Sequence, residues 1–167
     1  MKELLLVRHA KSSWKHSDLS DEERPLNPRG KRDAPFMAAY LRDEGMLPSH
    51  LISSPARRAA DTAAFFAEEF EDRDIVSYRE TDLYFGTESD WLQIINTLPE
   101  EVIFPAFFSH NPTITYFANR FTDDWIDNVP TCGIIHLVSG AESWSELYFD
   151  NTVIKGQYFP KEIRKGK

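Results

Sequence analysis

The sequence predicts an α/β domain of three layers, with helices on both faces of a mostly parallel central sheet. Short aliphatic runs such as Leu4–Val7 are too brief for helices and read as strands buried on both faces. They alternate along the chain with longer segments whose apolar residues recur at helical spacing, the pattern of βα units. A length of 167 residues without an internal repeat or low-complexity tract fits one domain, able to bury roughly 70% of its unfolded surface.

The elements follow in order. Leu4–Val7 is the first strand, running straight into Arg8 and His9. Asn27-Pro28-Arg29-Gly30 is turn chemistry, after which Phe36, Met37, Tyr40 and Leu41 mark a helix that Gly45 stops. Leu51 and Ile52 form a second strand; Ser54 is a candidate N-cap with Pro55 at the first helical position, opening an alanine-rich helix to Phe70. Ile75–Tyr78 reads as a strand, Ser89–Leu98 as a helix, and Val102–Phe108 as a further strand followed by a turn at Ser109–Pro112 and a helix to about Phe121. Ile134–Val138 and Trp144–Phe149 are expected as late strands. The domain is drawn at 1–160, with 161–167 as a basic, frayed C-terminal tail carrying four basic side chains and one acid.

The net charge of −8 and a pI near 5.1 make nucleic acid and anionic membrane surfaces poor partners. No apolar run approaches the roughly 20 residues of a membrane span, and the N-terminus lacks the features of a secretory signal, so a cytoplasmic location is the expectation. The single cysteine, Cys132, fits a reducing compartment. The charge is unevenly placed: residues 1–67 carry 11 Lys/Arg against 9 Asp/Glu, whereas residues 68–101 carry 2 against 11. A local anion site in the first part is therefore compatible with an acidic chain.

In such folds ligands bind beyond the carboxyl ends of the strands. Three of those places hold reactive side chains: Arg8 and His9 after the first strand, Arg57 and Arg58 after the second, and Ser109, His110, Asn111 and Pro112 after the fourth. Arginines and histidines gathered there would form a compact anion site, because guanidinium forks match phosphate oxygens bidentately. A histidine among arginines has its imidazolium disfavoured, which keeps a lone pair free for attack near neutral pH. A zinc site built from His9, His110 and His136 is disfavoured, since the arginines would repel the cation and no close ligand pair occurs. His16 and His50, like His136, carry no motif and read as structural or solvent-facing.

Leu5-Leu6-Val7-Arg8-His9-Ala10 resembles the strand and Arg-His-Gly signature of the histidine phosphatase superfamily. Arg8-His9-Ala10-Lys11-Ser12, Arg24-Pro25-Leu26-Asn27-Pro28-Arg29-Gly30, Ser53-Ser54-Pro55-Ala56-Arg57-Arg58-Ala59 and His110-Asn111-Pro112 are similar, in order, to the SixA-type phosphohistidine phosphatases, and Thr131-Cys132-Gly133 to a turn before a late strand. The resemblance implies a phosphoglycerate mutase-like fold. It makes His9 the nucleophile that becomes phosphorylated, Arg8 and Arg57 the residues that hold the phosphoryl oxygens, His110 a cation or donor to the same oxygens, and Arg24 a substrate contact at the pocket mouth. Arg58 is then a surface or salt-bridge neighbour. Many members protonate the leaving alcohol with an acid after the third strand; Glu80 and Asp82 lie in that region without the family's pattern. Ser109 stands where the family usually has Gly, and its hydroxyl could narrow the turn or donate to phosphate.

The implied reaction is two in-line transfers, substrate to His9 and His9 to water, needing no metal and no cofactor. The expected substrate is phosphohistidine in a protein, or a small molecule bearing another activated phosphoryl group, handled by a monomer. Trp14, in a polar loop five residues after His9, is a candidate for the substrate entrance. A phosphate-recognising binding module without turnover, and a small-molecule phosphomonoesterase or mutase, are the competing readings.

Overall fold

Residues 4–7 alternate between two cores, and that alternation builds the molecule. Leu4 and Leu6 point to one face of the sheet, Leu5 and Val7 to the other, and all four are buried. The computed structural model describes residues 1–166. Its strands are β1 (Lys2–Arg8), β2 (His50–Ser53), β3 (Val76–Arg79), β4 (Pro105–Ser109), β5 (Ile134–Ser139) and β6 (Thr152–Tyr158). Its helices are α1 (Pro28–Asp43), α2 (Arg57–Glu69), α3 (Asp82–Phe85), α4 (Glu88–Asn96), α5 (Thr113–Asn119) and α6 (Pro160–Lys165).

The strands lie in the order β3-β2-β4-β1-β5-β6. Pairings among β3, β2, β4 and β1 are parallel, and β5 and β6 add antiparallel strands at one edge. Helices α1 and α2 cover one face through Met37, Leu41, Ala59 and Phe66, and α6 adds Ile163. The other face is covered from α4 and α5 by Trp91, Ile95, Ile114 and Phe117. The architecture is the expected three-layer, mostly parallel α/β fold. Among the described residues no helix is long and apolar enough to cross a membrane.

Local chemistry explains the boundaries. Asn27 caps α1 by accepting the Gly30 N–H at 2.9 Å, so the anticipated turn is the helix start itself. Gly45, at φ 72°, ends it in the left-handed region that favours glycine. Gly30 is required for a different reason: a Cβ there would stand 2.2 Å from the main-chain oxygen of Lys11.

Several expectations are corrected. Trp144–Phe149 is not a strand: Trp144–Glu146 and Phe149–Asn151 are 3₁₀ turns, and Trp144 is anchored by its indole donating to the Val102 carbonyl (2.8 Å) and its main-chain N–H to Glu100 (3.1 Å). The last strand is instead Thr152–Tyr158, a half-buried edge whose polar alternation hides it from an apolar-run search. Residues 102–104 lead into β4 rather than belonging to it. Pro160–Lys165 is not frayed: it is helical, and Arg164 donates to buried Asp33 at 2.7 Å. The final tail residue, 167, lies outside the described residues.

Candidate active site

The carboxyl ends of β1, β2 and β4 converge because the parallel register continues past them. The His9 N–H donates to the Ser109 carbonyl (3.0 Å) and the Ser54 N–H to the Phe108 carbonyl (2.9 Å), so His9, Ser54 and His110 emerge side by side. Thr62 of α2 accepts the Ala10 N–H at 2.9 Å while donating to the Arg58 carbonyl at 2.7 Å, which fastens the loop after His9 to α2. Behind the site Cys132, at φ 61°, donates its main-chain N–H to the carbonyls of Arg8 and His9.

These elements enclose a pocket of about 490 Å³ lined by Arg8, His9, Arg24, Arg58, Tyr84 and His110 among others. His9 Nδ1 lies 2.7 Å from the Ala10 carbonyl. A carbonyl can only accept, so Nδ1 carries the proton and Nε2 keeps the lone pair. Burial, then the like charges of His110, Arg58 and Arg8, push the His9 pKa down to about 3. Its ring centroid lies 5.2 Å from that of His110. His110 is also pushed down to about 3, by burial first and then by Arg58. It is therefore neutral near pH 7, a donor rather than a cation.

Ser54 holds the His110 ring in place. Its Oγ accepts the Ala56 N–H (3.2 Å) and lies 2.7 Å from His110 Nε2. This use of Ser54 also corrects its expected role, since α2 begins at Arg57 with no side-chain cap.

The structure separates the two adjacent arginines in the opposite sense from the sequence expectation. Arg57, expected to hold phosphoryl oxygens, has a side chain 56% exposed, is absent from the pocket lining and pairs with Asp61 one turn along. Arg58 is 5% exposed and lines the pocket. Helix geometry is the reason: Arg58 shares the buried face with Thr62 and Phe66, whereas Arg57 and Asp61 share the outer one. Extending the apolar face of α2 back from Phe66 would have found it.

Glu80 and Asp82 are likewise displaced. They border a separate groove with Tyr78 and Asp90, away from His9. The carboxylate lining the pocket is Asp21, which lacked any signal in the sequence. It accepts from Arg24 Nε (3.2 Å), Arg58 Nη2 (3.0 Å) and the Tyr84 hydroxyl. Those donors outweigh its partial burial and hold its pKa at about 2. Arg24 is placed in the lining as expected, donating to Ser12 Oγ at 2.8 Å and stacked 3.6 Å from the ring centroid of Trp14, which also borders the pocket. The Ser109 hydroxyl turns away and donates to the Leu83 carbonyl, tying α3 to the end of β4.

Four buried nitrogens of residues that line the pocket have no partner among the described residues: Arg8 Nε, Arg58 Nε, Trp91 Nε1 and His110 Nδ1. They come from β1, α2, α4 and the β4–α5 turn, and the N–H groups of the arginines suit an oxyanion. His136 lies elsewhere, bonded to Glu3 at 2.7 Å. Among the described residues no three His, Cys, Asp or Glu side chains converge as metal ligands do.

Comparison with known proteins places the chain in a family. Residues 4–88 match the sequence model of the histidine phosphatase superfamily, branch 1. The chain belongs to the histidine phosphatase superfamily. An uncharacterised Mycobacterium leprae protein is 28% identical over 167 residues, 93% of this chain and 100% of the relative. A chloroplastic protein of Arabidopsis thaliana, also uncharacterised, is 44% identical over 59 residues, 35% of this chain and only 27% of its own length. The fold is shared with a structure of the protein histidine phosphatase SixA complexed with tungstate, at TM-score 0.77 and 21% identity over 96% of this chain and 99% of that one.

Proposed function

We propose that this chain is a metal-independent phosphatase that hydrolyses phosphohistidine, or another activated phosphoryl group, through a phosphohistidine intermediate on His9. The observation that carries the reading is the pair of unpartnered buried donors, Arg8 Nε and Arg58 Nε, with the unpartnered His110 Nδ1, around a histidine whose Nε2 is unprotonated. Nε2 attacks phosphorus in line as the bond to the leaving group breaks; water then attacks the phosphorylated His9, returning Nε2 and releasing phosphate. The donors stabilise charge on the phosphoryl oxygens as it passes between the two. A SixA structure of the same fold is complexed with tungstate, a tetrahedral oxyanion, which supports an oxyanion pocket here.

The chemistry of the pocket favours a good leaving group. Asp21, held ionised by Arg24, Arg58 and Tyr84, is a poor proton donor to an alkoxide. Glu80 and Asp82 stand outside the pocket. A heterocyclic nitrogen, whose ring can carry its own proton, needs less help than an alcohol. Substrate is a phosphorylated protein or a small phosphorylated molecule, and the exposed Trp14 and Phe85 near the mouth offer it apolar contact.

The test is rapid-quench mass measurement of wild type and His9→Ala mixed with a phosphohistidine peptide, worked up at alkaline pH. A transient adduct of one phosphoryl group on wild type alone, with free phosphate released, is the expected result. Protein that binds phosphate tightly yet forms neither adduct nor product would instead be a binding module. Turnover of a simple sugar phosphate as fast as of the phosphohistidine peptide would overturn the substrate class.

A further inference from the structure

Asp21 does more than line the pocket: it joins three side chains that arrive from different parts of the chain. Arg58 donates Nη1 to the Asp21 main-chain oxygen (2.7 Å) and Nη2 to its carboxylate (3.0 Å). Two donors on two acceptors of one residue fix the plane of the guanidinium. The nitrogen left over is Nε, buried and unpartnered. The same carboxylate accepts from Arg24 and Tyr84, and the next residue, Glu22, accepts the main-chain N–H of Arg57 at 2.8 Å, so the loop is anchored to the start of α2.

Electrostatics sharpens the question of why a carboxylate stands there. A negative charge beside a phosphate pocket opposes binding of a dianion. What it offers in return is alignment, since it restrains two arginines that would repel each other and points Arg58 Nε in one direction. Alignment matters most where charge is moving, in the transition state.

Resting on the phosphatase reading above, we propose that Asp21 is a positioning residue, which holds Arg58 in the orientation that serves the phosphoryl group in transfer while weakening the hold on free phosphate. Orthovanadate, which adopts a five-coordinate geometry on a histidine, reports the first state; inorganic phosphate reports the second. Calorimetric titration of Asp21→Asn is expected to show vanadate weakened about tenfold or more, with phosphate affinity unchanged within about threefold or tighter. On a phosphoramidate donor kcat falls while KM holds. Tyr84→Phe keeps its ring beside His110 and removes only the hydroxyl given to Asp21. It should show the same split at smaller size, and it carries the test if Asp21→Asn does not fold.

Vanadate and phosphate weakening together, or neither moving, overturns the positioning role. Because binding needs no turnover, wild type that binds both anions but cleaves no donor refutes the phosphatase reading while the Asp21 split is still measured. Wild type that binds neither anion overturns both.

Discussion

His9 is set up by two neighbours in the chain and by the company it keeps. The Ala10 carbonyl holds Nδ1–H, and burial with three cationic or imidazole neighbours keeps the ring neutral. With its pKa near 3, no protonation of His9 should limit kcat/KM between about pH 5 and 8. A pH profile with an acid limb centred near the ordinary histidine value of 6.5 would show the ring to be less shielded than the structure has it. The adjacent arginines give a second test. Arg58→Ala is expected to lower kcat/KM by about 100-fold or more, as loss of a donor to a developing oxyanion does. Arg57→Ala removes a solvent-exposed ion pair with Asp61 and should leave kcat/KM within about twofold. Steady-state kinetics on the two variants side by side separates the helix face that reaches the pocket from the one that does not.

At the scale of elements, the site depends on joints between them. Helix α1 begins against the loop that follows His9, where only Gly30 fits: a Cβ would meet the Lys11 oxygen at 2.2 Å. Gly30→Ala should therefore cost about 2 kcal/mol or more of stability, as backbone overpacking does, and reduce turnover by shifting the loop that holds His9 Nδ1. Chemical denaturation checks the first effect, and wild-type stability would show that the loop gives way freely. Ser109 makes the comparable joint at the end of β4. A Gly there would lack the hydroxyl that grips the Leu83 carbonyl, so this chain anchors α3, and with it Tyr84, by a bond a glycine cannot make. Ser109→Gly is expected to destabilise by about 1 kcal/mol through the lost hydrogen bond, read as a lower denaturation midpoint.

For the molecule as a whole, sealing histidines in the neutral form couples stability to pH. His9 and His110 have folded pKa values near 3, and His136 is also lowered, by burial first. The unfolded chain takes up protons near pH 6.5 that the folded chain refuses, so stability falls as pH drops through that value. Each such histidine contributes a slope of up to about 1.4 kcal/mol per pH unit once the unfolded form is protonated. Asp21, also lowered, acts in the same direction at lower pH, its stabilisation complete above the ordinary carboxylate range and lost as pH falls towards 2. Denaturation at pH 7 and pH 5 should show the loss; equal midpoints would mean that the rings accept protons without unfolding.

The sequence by itself determined the layers and the place of the chemistry. Alternation in Leu4–Val7 assigns residues to two cores, and strands followed by Arg8-His9, Arg57-Arg58 and His110 put reactive side chains at one sheet edge, because parallel strands end together. These are local patterns, legible residue by residue. What only the tertiary structure decided are matters of direction and of distant contact. Arg58 rather than Arg57 enters the pocket because it lies on the face of α2 that Thr62 and Phe66 bury, and Ser54 serves His110 instead of capping. Asp21 becomes the pocket's carboxylate through partners 37 and 63 residues away, Arg58 and Tyr84. The strand at Thr152–Tyr158 exists because β5 offers it an edge to pair with, not because its own residues are apolar. Asp21 and the edge strand arise from long-range packing that no stretch of sequence carries alone, whereas the buried face of α2 can be traced in its own spacing.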